Sequence, residues 1–505
     1  MSEKQAPAGH RSRPTGAAFR SFMSTGWAAA RAELPERTEA ARYAAARRAQ
    51  VSATFPGDRL VVPAGGLKVR SNDSDYVFRP HSAFAHLSGL GADREPDAVL
   101  VLEPREQADH DAVLYFRPSA TRDSDEFFAD SRVGEFWVGS RPTLESTAAE
   151  LGVVTRHLDE LADALAKDVG LDMLGVRVVR DADPDVAALV DAARAQAGQQ
   201  PPHGAVTQED AEEQDAELAR HLSTLRLVKD AWEIEQMRRA VQSTAQAFDA
   251  VVEQLPEAVR ADRGERWIEG VFALHARHRG NGVGYDSICA AGEHATTLHW
   301  IRNTGDVGPD DLVLLDAGVE TDTLYTADVT RTLPASGTFT PAQRRVYDVV
   351  LEAQEAGLAA ARPGNRFSDI HAAAIGVIAQ RMHDWGMLPE GVDVETTLDP
   401  EHGQFHRRWM VHGTSHHLGI DVHDCARARK EDYLDAQLAE GMVLTVEPGL
   451  YFKTDDELVP EELRGIGVRI EDDVVITADG CDNLSAMLPR SADDVQAWVR
   501  SGGRR

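Results

Sequence analysis

An aspartate stands where a buried strand wants another apolar side chain. In VLLDAGVETDTLYTADVTRT, Asp316 follows the apolar run from Leu312 to Leu315, and Asp328 lies twelve residues on, in a second run rich in β-formers. A carboxylate taken out of water is costly unless it is paired or binds a metal. A turn near Thr321 to Thr323 folds the two runs into a hairpin and brings both carboxylates close. Taken singly, each has a plainer explanation: Asp316 ends a strand, and Asp328 pairs with Arg331.

Three further stretches share this tension between polarity and context. MVHGTSHHLGIDVHD carries His412, His416, His417 and His423 within twelve residues, in a chain of nineteen histidines. Imidazole serves as metal ligand, general acid or base, or donor to an oxyanion. Gly413 and Gly419 allow turns that aim several rings at one point, although a polar loop reads the same way. MVLTVEPG ends an apolar strand in Glu447, stopped by Pro448 and Gly449, which is also a common surface pattern. In GVRIEDDVVIT, period-two alternation puts Arg469 and Glu471 on one face and Val468 and Ile470 on the other. Arg469 can position the carboxylates or offset their repulsion; alternatively the pair is a solvent-facing ion pair.

The set is more specific than its members. Two Asp, two Glu and one His suit a dinuclear site for divalent ions, which holds two metals about 3.5–4 Å apart and activates a water. Cys425 is near in sequence, but such a site needs no thiolate. Carboxylate richness favours Mn²⁺, or Co²⁺ in vitro, over a structural zinc.

Composition excludes other classes. Lys+Arg is 53 and Asp+Glu 83, a formal net charge of −30, which disfavours nucleic acid or an anionic membrane as main partner. There is no phosphate-cradling G-x-x-x-x-G-K-[ST], no G-x-S-x-G elbow and no H-E-x-x-H. Cys289, Cys425 and Cys481 are widely spaced, which fits a reducing cytoplasm. No apolar run approaches the roughly 18 residues of a membrane span. The first fifty residues carry nine basic and four acidic side chains and lack the apolar core of a secretory signal.

A length of 505 residues suggests several domains. Residues 1–34 read as a partly disordered extension. Residues 35–196 alternate helices (36–50, 143–151, 157–168) with short strands (60–62, 98–102, 113–116), an α/β domain. Residues 197–221 hold two prolines and then six acidic residues from Glu209 to Glu217, and read as a solvated linker or insertion. A second domain spans 222–490, its first helix capped by Asp230, and 491–505 is a tail.

At the five candidate ligands, over residues 36–490, the sequence resembles the pita-bread metallopeptidases of family M24, most closely the Xaa-Pro aminopeptidases (aminopeptidase P). The resemblance implies an α+β pita-bread catalytic domain, a curved antiparallel sheet covered by helices, after the α/β domain. It makes Asp316, Asp328, His416, Glu447 and Glu471 the ligands of two divalent ions, most simply Mn²⁺, whose bridging hydroxide attacks the scissile carbonyl. It makes His299 and His423 donors to the carbonyl or oxyanion, and sets His412 toward a pocket for the penultimate proline. Glu447 doubles as proton shuttle, while Tyr451 and Arg469 hold the first aspartate. Trp137, in EFWVGSRP, matches a tryptophan that reaches a neighbouring subunit's active site, implying a homo-oligomer, dimer or tetramer.

The implied reaction is release of the N-terminal residue of a peptide when proline is second. The Ser415–His416 step and the stretch RSNDSDYVFRPHSAFAHLSGL favour this over the related prolidases, which cleave dipeptides and more often carry Gly before the ligand histidine. A non-catalytic binding protein of this fold would have lost ligands, and a creatinase-like enzyme lacks this metal set. His417 stands where the family often has Trp, and Ala83 where some members have an acidic residue that helps bind the substrate amine. Residues 1–34 and the acidic insertion have no evident family counterpart.

Overall fold

The computed structural model describes residues 16–28, 33–92, 95–105, 109–170, 174–197 and 207–503. They form two compact units, Met1–Leu222 and Ser223–Arg505.

The first unit is built on a five-stranded mixed sheet. Its spatial order is Val154–His157, His110–Phe116, Val99–Pro104, Asp58–Pro63 and Gly175–Val178. The three inner strands are antiparallel, and each outer strand runs parallel to its neighbour. Leu60, Val61 and Val62 are all fully buried, so both faces of the central strand are covered and its apolar run is continuous rather than alternating. On one face Val61, Val99 and Val101 pack against the helices Leu161–Ala166 and Pro184–Ala197.

The second unit carries the candidate ligands. Asp230 caps the helix Ala231–Arg260 as expected: it accepts from Glu233 N–H (3.0 Å), and Glu233 accepts from Asp230 N–H (2.9 Å). This helix, Gly264–Arg279, Pro341–Ala360 and Phe367–Asp384 bury apolar faces in one core against the strands. The strand Leu312–Ala317 lies between Ile288–Ala291 and Val329–Pro334, antiparallel to both. Asp472–Ile476 lies between Val443–Val446 and Cys481–Asn483, again antiparallel, and Gly449–Tyr451 pairs with Gly467–Arg469. These small sheets meet where Glu471 N–H donates to Thr330 O (3.1 Å) and Asp328 N–H to an Asp473 carboxylate oxygen (3.1 Å). Among the described residues no helix is long and apolar enough to cross a membrane.

Two expectations are corrected, at the acidic stretch and at the strand over 467–477, and two gain detail, at the N-terminal extension and the tail. The acidic stretch is no solvated loop from Gln208 on: Gln208–Leu225 is a helix. One of its acids, Asp215, is buried, accepting from Arg180, Arg194 and Val178 N–H at 2.6–2.8 Å. The remainder of that linker, 198–206, lies outside the described residues. Within the N-terminal extension, Ala17–Ser24 is helical and Trp27 sits edge-on to Phe127 (5.5 Å between ring centroids); residues 1–15 lie outside the described residues. The expected tail contains the helix Ala492–Ser501, with Val495 and Trp498 buried and the Trp498 indole N–H on Asp249 (2.8 Å). Finally, the strand expected over 467–477 breaks after Arg469, because each half pairs with a different partner, so Glu471 lies between strands.

Candidate metal centre and active site

The hairpin forms, with Leu324 N–H on Thr321 O (2.9 Å) closing its turn. Asp316 stands opposite Thr330 in the ladder. Gly318 is required there: a side chain would run into the Ala327 carbonyl. Asp316 and Asp328 converge on a residue the sequence did not flag. The Tyr285 hydroxyl lies 2.7 Å from Asp316 Oδ1 and also contacts Asp328 Oδ1.

The plainer pairings are not the ones formed. Arg331 is buried and binds Asp472 (2.7 Å), not Asp328. Arg469 is buried too, so it forms no solvent-facing pair with Glu471. Its guanidinium donates to Asp316 Oδ2, to Thr330 Oγ1 (3.1 Å) and to the Tyr451 hydroxyl (3.0 Å). Thr330 in turn donates to Glu471 (2.6 Å). Tyr451 therefore acts on Asp316 through Arg469 rather than directly.

His416 projects into the same space. Its Nε2 lies 3.3 Å from Asp328 Oδ2 and 3.6 Å from Glu447 Oε1. Asp328, His416 and Glu471 each offer a donor atom within 4.8 Å of the others. Glu447 lies just beyond the strand Val443–Val446 and accepts from Thr445 Oγ1 (3.3 Å). The His423 ring meets the His416 ring edge-on at 4.6 Å. His412 Nδ1 donates to Gly413 O (2.6 Å), so its Nε2 accepts from the Tyr451 hydroxyl (2.8 Å). His299 and His423 are exposed. His417 turns away, stacked on Phe367 (5.2 Å) and edge-on to Tyr433. In the first unit, Ala83 is buried in the helix Ser82–Ser88, and half-exposed Trp137 donates its indole N–H to Phe128 O (2.9 Å).

The electrostatics are those of a cluster short of cations. Burial raises the Asp316 carboxyl, Arg469 opposes it, and Asp328 adds to the rise. Burial pushes Glu447 up to about 7 and Glu471 well above the usual range. Burial would lower His416, but the adjoining Asp328 and Glu447 carboxylates hold it up at about 9. Burial, helped by Arg469, lowers His412 to about 3, so that ring is neutral. Four carboxylates thus face one guanidinium and one imidazole in a space that desolvates them. Divalent cations balance such a set, and hard oxygens with one imidazole are donors they accept.

Fold and donor set define a pita-bread metallopeptidase. The model of metallopeptidase family M24 matches residues 235–478, and that of the aminopeptidase P N-terminal domain matches 44–172. Xaa-Pro aminopeptidase 2 of Streptomyces coelicolor is 51% identical over 478 residues, 95% of each chain. The Xaa-Pro aminopeptidase of Escherichia coli is 33% identical over 90% of this chain and 96% of its own. Among solved structures, aminopeptidase P from E. coli in its low-pH form superposes with a TM-score of 0.78 at 30% identity, over 92% of this chain and 98% of that one. This chain belongs to the aminopeptidase P group of metallopeptidase family M24.

Proposed function

We propose that this protein is a metal-dependent aminopeptidase that releases the N-terminal residue of peptides with proline at the second position. The observation that carries this is the convergence of Asp316, Asp328, His416, Glu447 and Glu471 around one buried space, in a chain whose full-length relatives are named Xaa-Pro aminopeptidases. Those five side chains would hold two divalent ions, Mn²⁺ by donor type. Such ions supply Lewis acidity, which acidifies water and polarises a carbonyl.

The chain's own residues do the rest. Glu447 takes a proton from the attacking water and returns it to the departing nitrogen. That nitrogen belongs to the proline ring; its amide carries no N–H, so most exopeptidases handle it poorly. His299 and His423 donate to the carbonyl oxygen as negative charge grows on it. Arg469 holds Asp316, while Tyr451 holds the neutral His412 beside the proline site. The net charge of −30 leaves nucleic acid without a cationic surface, and three unpaired cysteines suit a reducing cytoplasm. Exposed Phe136, Trp137 and Val138 support assembly as a homo-oligomer, dimer or tetramer.

In the decisive test, release of alanine from Ala-Pro-Pro is expected to cease on chelation and return with Mn²⁺. A leucine peptide lacking the second-position proline should stay uncut. No Mn²⁺-restored cleavage before proline would sink the proposal. Ala-Pro-Ala should be cut as well; cleavage confined to the dipeptide Ala-Pro would make this a prolidase instead.

Tyr285→Phe gives a second expectation. Losing the hydroxyl that ties Asp316 to Asp328 should weaken Mn²⁺ binding about 10–100-fold, read by metal titration, with the fold intact by circular dichroism. Unchanged affinity would deny Tyr285 that role.

A further inference from the structure

The His299 loop is organised around a single buried carboxylate that no expectation from sequence singled out. Glu265 is the second residue of the helix Gly264–Arg279 and is fully buried. One of its oxygens accepts from Ala291 N–H (2.9 Å) and from His294 Nδ1 (2.7 Å). The other accepts from the Trp300 indole N–H (2.8 Å) and from Gly305 N–H (2.6 Å). All four donors belong to residues 291–305, and His299 sits among them. The His294 and Trp300 rings stack at 3.9 Å, and the Arg302 guanidinium lies over the Trp300 ring, 4.8 Å from its centroid. Gly305 can carry no side chain, since a Cβ would lie 2.8 Å from the His294 ring and 2.9 Å from the Glu265 carboxyl carbon.

The same loop lies against the strand that bears Arg469. A side chain at Gly467 would collide with the Ala295 carbonyl and Thr296 N, and Lys453 Nζ donates to Thr297 Oγ1 (3.2 Å). His299 is exposed and lies three residues beyond Thr296, where the loop abuts Gly467, two residues before Arg469. The loop is thus tied to Glu265 and also abuts the strand that carries Arg469.

We infer that Glu265 is a positioning residue for the reaction: it sets the loop 292–305 so that His299 reaches the substrate carbonyl. The inference rests on the peptidase function proposed above. A carboxylate is acceptor-only, with room for about four hydrogen bonds, and all are used here. Glutamine has the same size but keeps one acceptor oxygen and turns an NH₂ toward at least one fixed N–H donor: Ala291 N–H on one side, where His294 Nδ1 can accept only by changing tautomer, or Trp300 and Gly305 N–H on the other. A buried clash of donors cannot be satisfied in place, so the loop must shift.

The test uses the full chain loaded with Mn²⁺ and the variants E265Q, H299A and both together, on Ala-Pro-Pro. E265Q is expected to lower kcat about 10–100-fold, as a misplaced group does, with KM little changed. The double variant should be no slower than H299A alone. Mn²⁺ affinity by titration should match the unmodified protein, and hydrogen exchange should rise across 291–305. Multiplying effects in the double variant, or unchanged exchange across 291–305, would overturn the inference. If the unmodified protein cuts no Xaa-Pro bond while E265Q still loosens that segment, the peptidase proposal fails and the tether stands. Should E265Q not fold, Trp300→Phe removes one donor only and serves the same measurements, with a smaller loss expected.

Discussion

Glu447→Gln is expected to lower kcat on an Xaa-Pro peptide by about 10³-fold or more. General acid–base catalysis alone contributes about 10²–10⁴, and the change also removes the charge of a proposed metal ligand. Glutamine keeps the shape of the side chain and its contact with Thr445, so the fold should persist. Stability should move the other way. In the metal-free protein Glu447 adds one more carboxylate to a cluster already holding Asp316, Asp328 and Glu471, and burial with that repulsion pushes it up to about 7. Metal-free E447Q should therefore melt above the metal-free parent, whereas Mn²⁺ should raise the melting temperature of the parent more than that of the variant. Activity within tenfold of the parent at full metal occupancy would remove Glu447 from the proton path.

Asp424→Ala is expected to cost about 3–5 kcal/mol of stability, the usual loss when one partner of a buried ion pair is removed. For a unit of this size that lowers the melting temperature by roughly 6–20 °C, measurable by calorimetry. Arg226 Nε binds one Asp424 oxygen at 2.9 Å and Lys229 Nζ the other at 3.3 Å. All three side chains are buried, and the Cys425 thiol, pushed up to about 12 by burial, stays neutral. Asp424 is therefore the counter-ion that cluster depends on. It also shapes the loop between the candidate ligand His416 and His423: its N–H donates to His417 O (3.0 Å), and a side chain at Gly419 would strike its carboxylate.

The pH dependence has a definite sign. Burial raises the Asp424 carboxyl, but Arg226 and Lys229 outweigh it and hold the group down at about 2. A folded-state pKa below the unfolded value means stabilisation that is complete above about pH 5 and fades as pH falls toward 2. The stability gap between the parent and Asp424→Asn should narrow over that window. A gap that stays constant would show that the charge is not what Asp424 contributes.

Much of the candidate site was legible because its members break local rules. Asp316 follows four apolar residues where a fifth is wanted, Glu447 ends an apolar strand at Pro448, and Arg469 sits in a β-run. Each departs from the pattern of its own neighbours, so no knowledge of distant residues is needed to notice it. Tyr285 breaks no rule, since an aromatic before a strand is ordinary packing, and Glu265 reads as one more acid in the first turn of a helix.

By itself, then, the sequence determined the element types of the stretches that carry the candidate ligands, the Asp230 cap, and the short set of side chains that a buried strand would not otherwise tolerate. Tertiary structure alone decided the pairings. It gave Arg331 to Asp472 and Arg469 to Asp316, ended one strand at Arg469 and began another at Asp472, and made a helix of the acidic stretch whose Asp215 meets Arg180 and Arg194. The reason is physical. Propensity and period are set by neighbours a few residues apart, whereas a buried charge is satisfied by whichever partner the fold brings within about 3 Å, and these partners lie from tens to more than a hundred residues away.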